Sequence, residues 1–160
     1  MREGKGPLGA LMDEYERASD EYVRLISSLD ASVYDAILDS QTQDEDCRSV
    51  KSICFHVLFA AYNYANAIRM KFGVPVHSPE RFYPAQAEFP SAMSALLAYT
   101  DETISGLYGM TDDEIIATNI PIRWSNHTDL EALLEHAIVH ILRHRRQVER
   151  LTGKANRLYY

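Results

Sequence analysis

The stretch Thr128–Leu151, TDLEALLEHAIVHILRHRRQVERL, decides the reading of this chain. Leu130, Leu133, Leu134, Ala137 and Ile141 recur at three- and four-residue steps, the period of an α-helix buried along one face. Thr128 with Glu131 reads as a capping box opening the helix, and Gly153 is a suitable residue to close it, so the helix is expected over about 129–152. The same helix carries His136, His140 and His144 at four-residue intervals. At about 100° per residue, with His140 at zero, Leu133, Ala137, His144, Val148 and Ile141 fall between about 20° and 100°. His140 and His144 thus share the inward arc, whereas His136 and Gln147 sit at its edge.

Working back along the sequence, three more helices follow from the same periodicity. Leu8, Leu11, Met12, Tyr15, Ala18, Tyr22, Leu25, Ile26 and Leu29 mark a first helix over about 7–29. SVKSICFHVLFAAYNYANAIRMKF marks a second over about 49–72, stopped by Gly73 and Pro75. Met93, Leu96, Leu97, Ile104 and Leu107 mark a third over about 91–107. The middle of the second helix is apolar on nearly every face, which asks for cover either from a partner subunit or from the following loop. That loop, 74–90, carries Pro75, Pro79, Pro84 and Pro90 and reads as a crossover without a long helix. Thr111 with Glu114 signals one short further turn, and the β-branched IIATNIPIRW segment is expected to cross a bundle end in extended form. The sum is an all-α chain, a four-helix bundle with one long crossover, expected as one domain over residues 1–160.

Composition narrows the function. The 160 residues carry 23 acidic and 16 basic side chains, a formal charge of −7, which disfavours nucleic acid as a partner. The one basic cluster, Arg143, Arg145 and Arg146, is read as complementing a helix C-terminus. No apolar run reaches bilayer length and the N-terminus lacks a secretory core, so a soluble, cytoplasmic protein is expected. Cys47 and Cys54 form neither a CxxC pair nor a disulfide framework and read as reduced thiols: Cys54 in packing, Cys47 held from reactivity by Asp44, Glu45 and Asp46.

Two inward imidazoles on successive turns need partners for their second nitrogens. Either they are hydrogen-bonded core residues, or they converge on a divalent metal. A third ligand cannot come from the same straight helix, because positions i and i+8 lie about 12 Å apart along the axis. His56, the one histidine of the second helix, is the candidate, with Ser52 and Asn63 as polar edges of a cavity and Ala60 and Ala67 leaving room. His77 and His127 fall in loops and are expected to face solvent.

At this point the residues resemble the DinB/YfiT-like superfamily of metal-binding four-helix bundles. Ser49-Val50-Lys51-Ser52-Ile53-Cys54-Phe55-His56-Val57 is similar to its second-helix phrase, and His140-Ile141-Leu142-Arg143-His144-Arg145-Arg146-Gln147 to its last-helix H-x-x-x-H-R-x-Q. The resemblance extends over the four helices and implies that His56, His140 and His144 are the metal ligands. His136, Asn63 and Gln147 then become candidates for supporting or orienting groups. It also implies a divalent ion, zinc or nickel foremost, a homodimer and a small-molecule substrate. Some relatives are thiol-dependent S-transferases or isomerases, and others are regarded as metal-dependent hydrolases. This chain departs from many relatives in having Arg146 in place of a glycine, and in the length of its 74–90 segment.

The expected functions are therefore a metal-dependent enzyme on a small molecule, with a thiol S-transferase using a thiol cofactor as one form and a hydrolase as another, or a non-catalytic metal- or ligand-binding stress protein. No glutamate stands within a turn of the ligands at a general-base position, since Glu135 points off the inward arc; this favours thiol transfer over an HExxH-like hydrolase. A scaffold whose histidines are structural leftovers is the remaining reading.

Overall fold

The computed structural model describes residues 5–77, 82–123, 125 and 128–154. Pro79, Trp124, His127 and the tail ending in Tyr159 and Tyr160 lie outside the described residues, so the solvent-facing expectation for His127 falls there too.

The described residues form helices and their connections, with two isolated β-bridges. Four long helices, α1 (Gly6–Ser27), α3 (Val50–Lys71), α4 (Phe89–Ile104) and α6 (Leu130–Leu151), hold the core between them. Short helices α2 (Ala31–Asp35) and α5 (Asp112–Ala117) sit in two of the connections. Each start has a local cause. Ser49 accepts a hydrogen bond from the Ser52 amide while Ser52 Oγ accepts from the Ser49 amide, a reciprocal cap that fixes the register of α3. Thr111 and Glu114 do the same for α5. Pro90, expected in the preceding loop, instead lies in the first turn of α4, where its missing N–H costs no hydrogen bond. Gly73 and Gly153 follow α3 and α6 with φ of +67° and +70°, the left-handed conformation that closes a helix.

The start of α6 differs from expectation. Asp129, not Thr128, caps it by accepting from the Ala132 amide at 2.7 Å. The Thr128 carbonyl is engaged elsewhere, accepting from Ile120 N–H at 2.7 Å. IIATNIPIRW also divides: its first residues complete α5, and only the part from Thr118 onward is irregular or extended.

Side-chain contacts give the helix directions. His56 of α3 meets His140 and His144 of α6, while Tyr64 meets His136 and His140, so α3 and α6 are antiparallel. Asn66 bonds Tyr99 and Arg69 bonds Thr103, so α3 and α4 run the same way. Glu21 pairs with Arg145, and Ser28 accepts from Lys154 just beyond α6, so α1 and α6 are parallel. Arg145 therefore ties two helices together, a role beyond complementing the helix end. In cyclic order α1 packs on α6, α6 on α3, α3 on α4, and α4 on α1. Because α3 and α4 are parallel, the chain has to come back about 24 Å, the length of 16-residue α4, between residues 71 and 89, within reach of 17 extended residues.

That segment is pinned where it leaves α3. Asn66 Nδ2 donates to the His77 carbonyl at 2.6 Å, and His77 N–H donates to the Tyr99 hydroxyl at 2.9 Å. Buried Arg69 stacks 3.9 Å over the Tyr99 ring and donates to the Pro75 carbonyl. His77 is exposed as expected, yet its backbone is part of this clamp. Farther along, Tyr83 packs 4.3 Å from the Phe55 ring, so the segment itself covers part of the all-round apolar face of α3. The core is dominated by fully buried Tyr15, Tyr22, Tyr34, Phe89, Ile53 and Leu96. Among the described residues, no helix is long and apolar enough to cross a membrane.

Candidate metal centre

The cap at Ser49 and the antiparallel packing of α3 on α6 place His56 opposite the His140–His144 pair. The His140 Nε2 atom lies 3.2 Å from His56 Nε2 and 3.2 Å from His144 Nε2. The three candidate ligand atoms all fall within 4.8 Å of one another. Two imidazole nitrogens held about 2.1 Å from one ion at a tetrahedral angle stand about 3.4 Å apart. The observed spacing is therefore that of nitrogens sharing an ion, and three neutral imidazoles are a donor set that divalent transition metals accept.

The far sides of the rings are ordered unequally. His144 Nδ1 donates to Gln147 Oε1 at 2.8 Å, which fixes the tautomer whose Nε2 lone pair faces the cluster. Asp46 Oδ2 lies 3.7 Å from His56 Nδ1, an acidic neighbour suited to steadying that ring. His140 Nδ1 is buried with no hydrogen-bond partner. Replacing Gln147 by leucine should release the His144 tautomer and weaken metal affinity about 10- to 100-fold, measured by competition with a chromogenic chelator.

Burial, reinforced by the charges His144 and His56 would carry, pushes the His140 pKa down to about 3. Burial likewise pushes His144 down to about 4, against the opposing hydrogen bond from Gln147. Both rings are neutral at physiological pH, the state a metal requires. In the unfolded chain each takes up a proton near 6.5, whereas the folded protein resists until 4 or 3. The metal-free protein should therefore be most stable above pH 6.5 and lose stability progressively as pH falls from there toward 4. Urea midpoints at stepped pH measure this, and a midpoint flat across the window would contradict it.

The other sequence candidates divide. His136 is exposed, its ring centroid 6.3 Å from that of His140 and 5.4 Å from that of Tyr64. Asn63 is exposed on the α3 stripe beside His56 and lines the same cleft. Ser52, expected to edge that cavity, is instead consumed by the helix cap. Burial pushes the Cys54 thiol up to about 12, as fits packing beside Tyr22. Cys47 is also raised, by burial first and then by Asp44, which accepts its thiol hydrogen bond at 3.4 Å.

Two cavities reach His56 and His140. Toward the N-terminal end of α3 a 320 Å³ cavity is lined by Asp44, Cys47, Arg143, Gln147 and Arg150. Toward its C-terminal end a 500 Å³ cleft runs past Ala60, Asn63 and Tyr64 to Met70 and Arg123. The sequence reading missed Asp46, Tyr64 and Arg123. Tyr64 had a signal, two turns beyond His56 on one helix face; the other two arrive from connections and had none.

No curated protein and no solved structure matches the chain. The sequence model of the DinB family matches residues 5–153. With the match covering nearly the whole sequence and enclosing all three converging histidines, the chain belongs to the DinB family.

Proposed function

We propose that this protein is a metal-dependent enzyme acting on a small molecule, with His56, His140 and His144 holding one divalent ion, zinc or nickel. The observation that carries the reading is the convergence of three imidazole nitrogens that no carboxylate or thiolate joins among the described residues. Three protein ligands leave coordination positions for a substrate, as working rather than closed structural sites do. When bound, the ion would supply Lewis-acid polarisation of an oxygen or sulfur atom. Gln147 would hold His144 in its ligating tautomer, and Asp46 would steady His56. Tyr64, its pKa pushed up to about 12 by burial, keeps its hydroxyl protonated at the cleft, where it serves as a hydrogen-bond donor and not as a base.

Thiol transfer is the reaction class placed first, because among the described residues no carboxylate lines the 500 Å³ cleft, and a hydrolase would have to draw its base from Asp44 in the smaller cavity. The architecture is read as one four-helix-bundle domain over 1–160 with segment 72–88 as its long crossover. A homodimer is proposed through the exposed apolar side chains of the segment after α3, Phe72, Val74, Val76 and Phe82. Free Cys47 and Cys54 suit a reducing cytoplasm.

The test is zinc and nickel titration of protein purified without a metal-affinity step, followed by assays of thiol transfer to electrophiles and of ester hydrolysis. Metal-dependent transfer supports the reading, and hydrolysis alone redirects it to a hydrolase. Stoichiometric metal without turnover favours a non-catalytic metal-binding protein, and failure to bind either ion removes the metal altogether.

A further inference from the structure

The 500 Å³ cleft has a chemical character that the metal does not explain. Its volume lies within the range of small-molecule sites. Its walls mix small and apolar residues, Ala60 and Ala67 from α3 with Met70, Pro121 and Ile122, with the polar Asn63, Tyr64 and Asn66. His56 and His140 lie along it, and among the described lining residues Arg123 is the one that carries a permanent charge. None of the described lining residues is acidic, in a chain with 23 acidic and 16 basic residues.

Arg123 is also held in position. Ile122 and Ser125 exchange both backbone hydrogen bonds at 3.1 Å, so Arg123 sits in the two-residue turn between them. Ile120 N–H donates to the Thr128 carbonyl at 2.7 Å and ties the base of this loop to the start of α6. Among the described residues no side chain forms an ion pair or hydrogen bond with Arg123, which is equally true of Arg143 and Arg150 beside the 320 Å³ cavity, so what distinguishes Arg123 is its place on the larger cleft. The backbone bridge anchors the Arg123 main chain at the rim of the cleft, and its guanidinium, free of a partner there, offers a planar fork of donors to a carboxylate, sulfonate or phosphate group.

We propose that this cleft binds a small amphiphilic anion: its charged group on Arg123, its short apolar body along Ala60, Ala67, Met70 and Ile122, and its other end toward His56 and His140. Arg123 is thus a specificity-determining residue for anionic substrates. The assignment rests on the metal reading only for the reactive end; recognition of the anion by Arg123 stands without an ion.

Hexanesulfonate tests it, because a sulfonate keeps the charge and coordinates metal ions poorly. Calorimetric titrations would use the full chain, both metal-free and zinc-loaded, with 1-hexanol as the uncharged comparison. Saturable sulfonate binding is expected in both forms, at least ten times tighter than hexanol. Arg123→Gln should weaken it at least tenfold, with Arg123→Lys between the two; both variants should keep wild-type helicity and zinc stoichiometry, since Arg123 is exposed. Ala60→Phe, which fills the trough, should weaken sulfonate and hexanol alike. Unchanged affinity in Arg123→Gln, equal affinity for hexanol, or no saturable sulfonate binding would each overturn the proposal. If zinc fails to bind while the Arg123-dependent sulfonate site persists, the metal reading falls and the anion site stands.

Discussion

Replacing His140 by alanine should abolish stoichiometric metal binding. His140 Nε2 is the hub of the cluster, 3.2 Å from each of the other two Nε2 atoms. Without it, His56 and His144 remain as two ligands on different helices. Loss of a partner that merely supports a ligand costs about 10- to 100-fold in metal affinity, so loss of a ligand should cost more than about 100-fold. Dialysis and elemental analysis should show about one ion per chain in the wild type and less than about a tenth of that in His140→Ala. The fold should survive, because the ring is half-buried and its Nδ1 already lacks a partner. Far-ultraviolet circular dichroism checks that. Zinc should raise the melting temperature of the wild type and leave that of the variant unmoved, since only a ligand that binds the native state shifts the equilibrium. Full retention of the ion in the variant would end the three-histidine reading.

Phe89→Ala should be the most damaging single change to stability. Phe89 is fully buried in the first turn of α4 and meets Tyr22 of α1 edge-on, with ring centroids 5.4 Å apart. Truncation removes the ring from the junction of two helices and leaves a cavity that neighbours fill only in part. Such changes cost about 3–5 kcal/mol. For a domain of this size that lowers the melting temperature on the order of 10 °C. The urea midpoint of the metal-free protein should fall with little change in slope, the mark of a stability change with the same surface exposed. Met70→Ala, at a side chain 65% exposed, should stay within about 0.5 kcal/mol and serves as the control.

The long helices were legible because burial imposes their period: most apolar steps of Leu8 to Leu29 and of Leu130 to Val148 are the residues found inside, with Leu11 and Leu25 half-buried at the edge of the first stripe. A cap was legible where one residue competed for the role, as at Thr111, whereas the reciprocal Ser49–Ser52 cap went unread. At residues 128–129 two good capping residues stand side by side, and the backbone bond from Ile120 to Thr128 is what hands the cap to Asp129. A contact between separate segments of the chain decided a local feature, and no local pattern carries that information. The histidine site shows the same division. His140 and His144 follow from helical geometry, and the pairing with His56 rested on its apolar setting and on the family resemblance. Asp46 and Arg123 come from connections whose paths depend on how the helices pack, and Ser52 was misassigned because a hydroxyl can serve a cap as readily as a cavity.

His56 and His140 meet across 84 residues of sequence, in helices that run in opposite directions. A chain still being synthesised thus presents His56 long before any partner exists, and a single imidazole is a poor trap for an ion. The nitrogen cluster comes into being only when the last long helix has docked. A truncated product lacking α6 would carry no such cluster, so binding of an ion at the proposed three-histidine site can only follow completion of the last long helix.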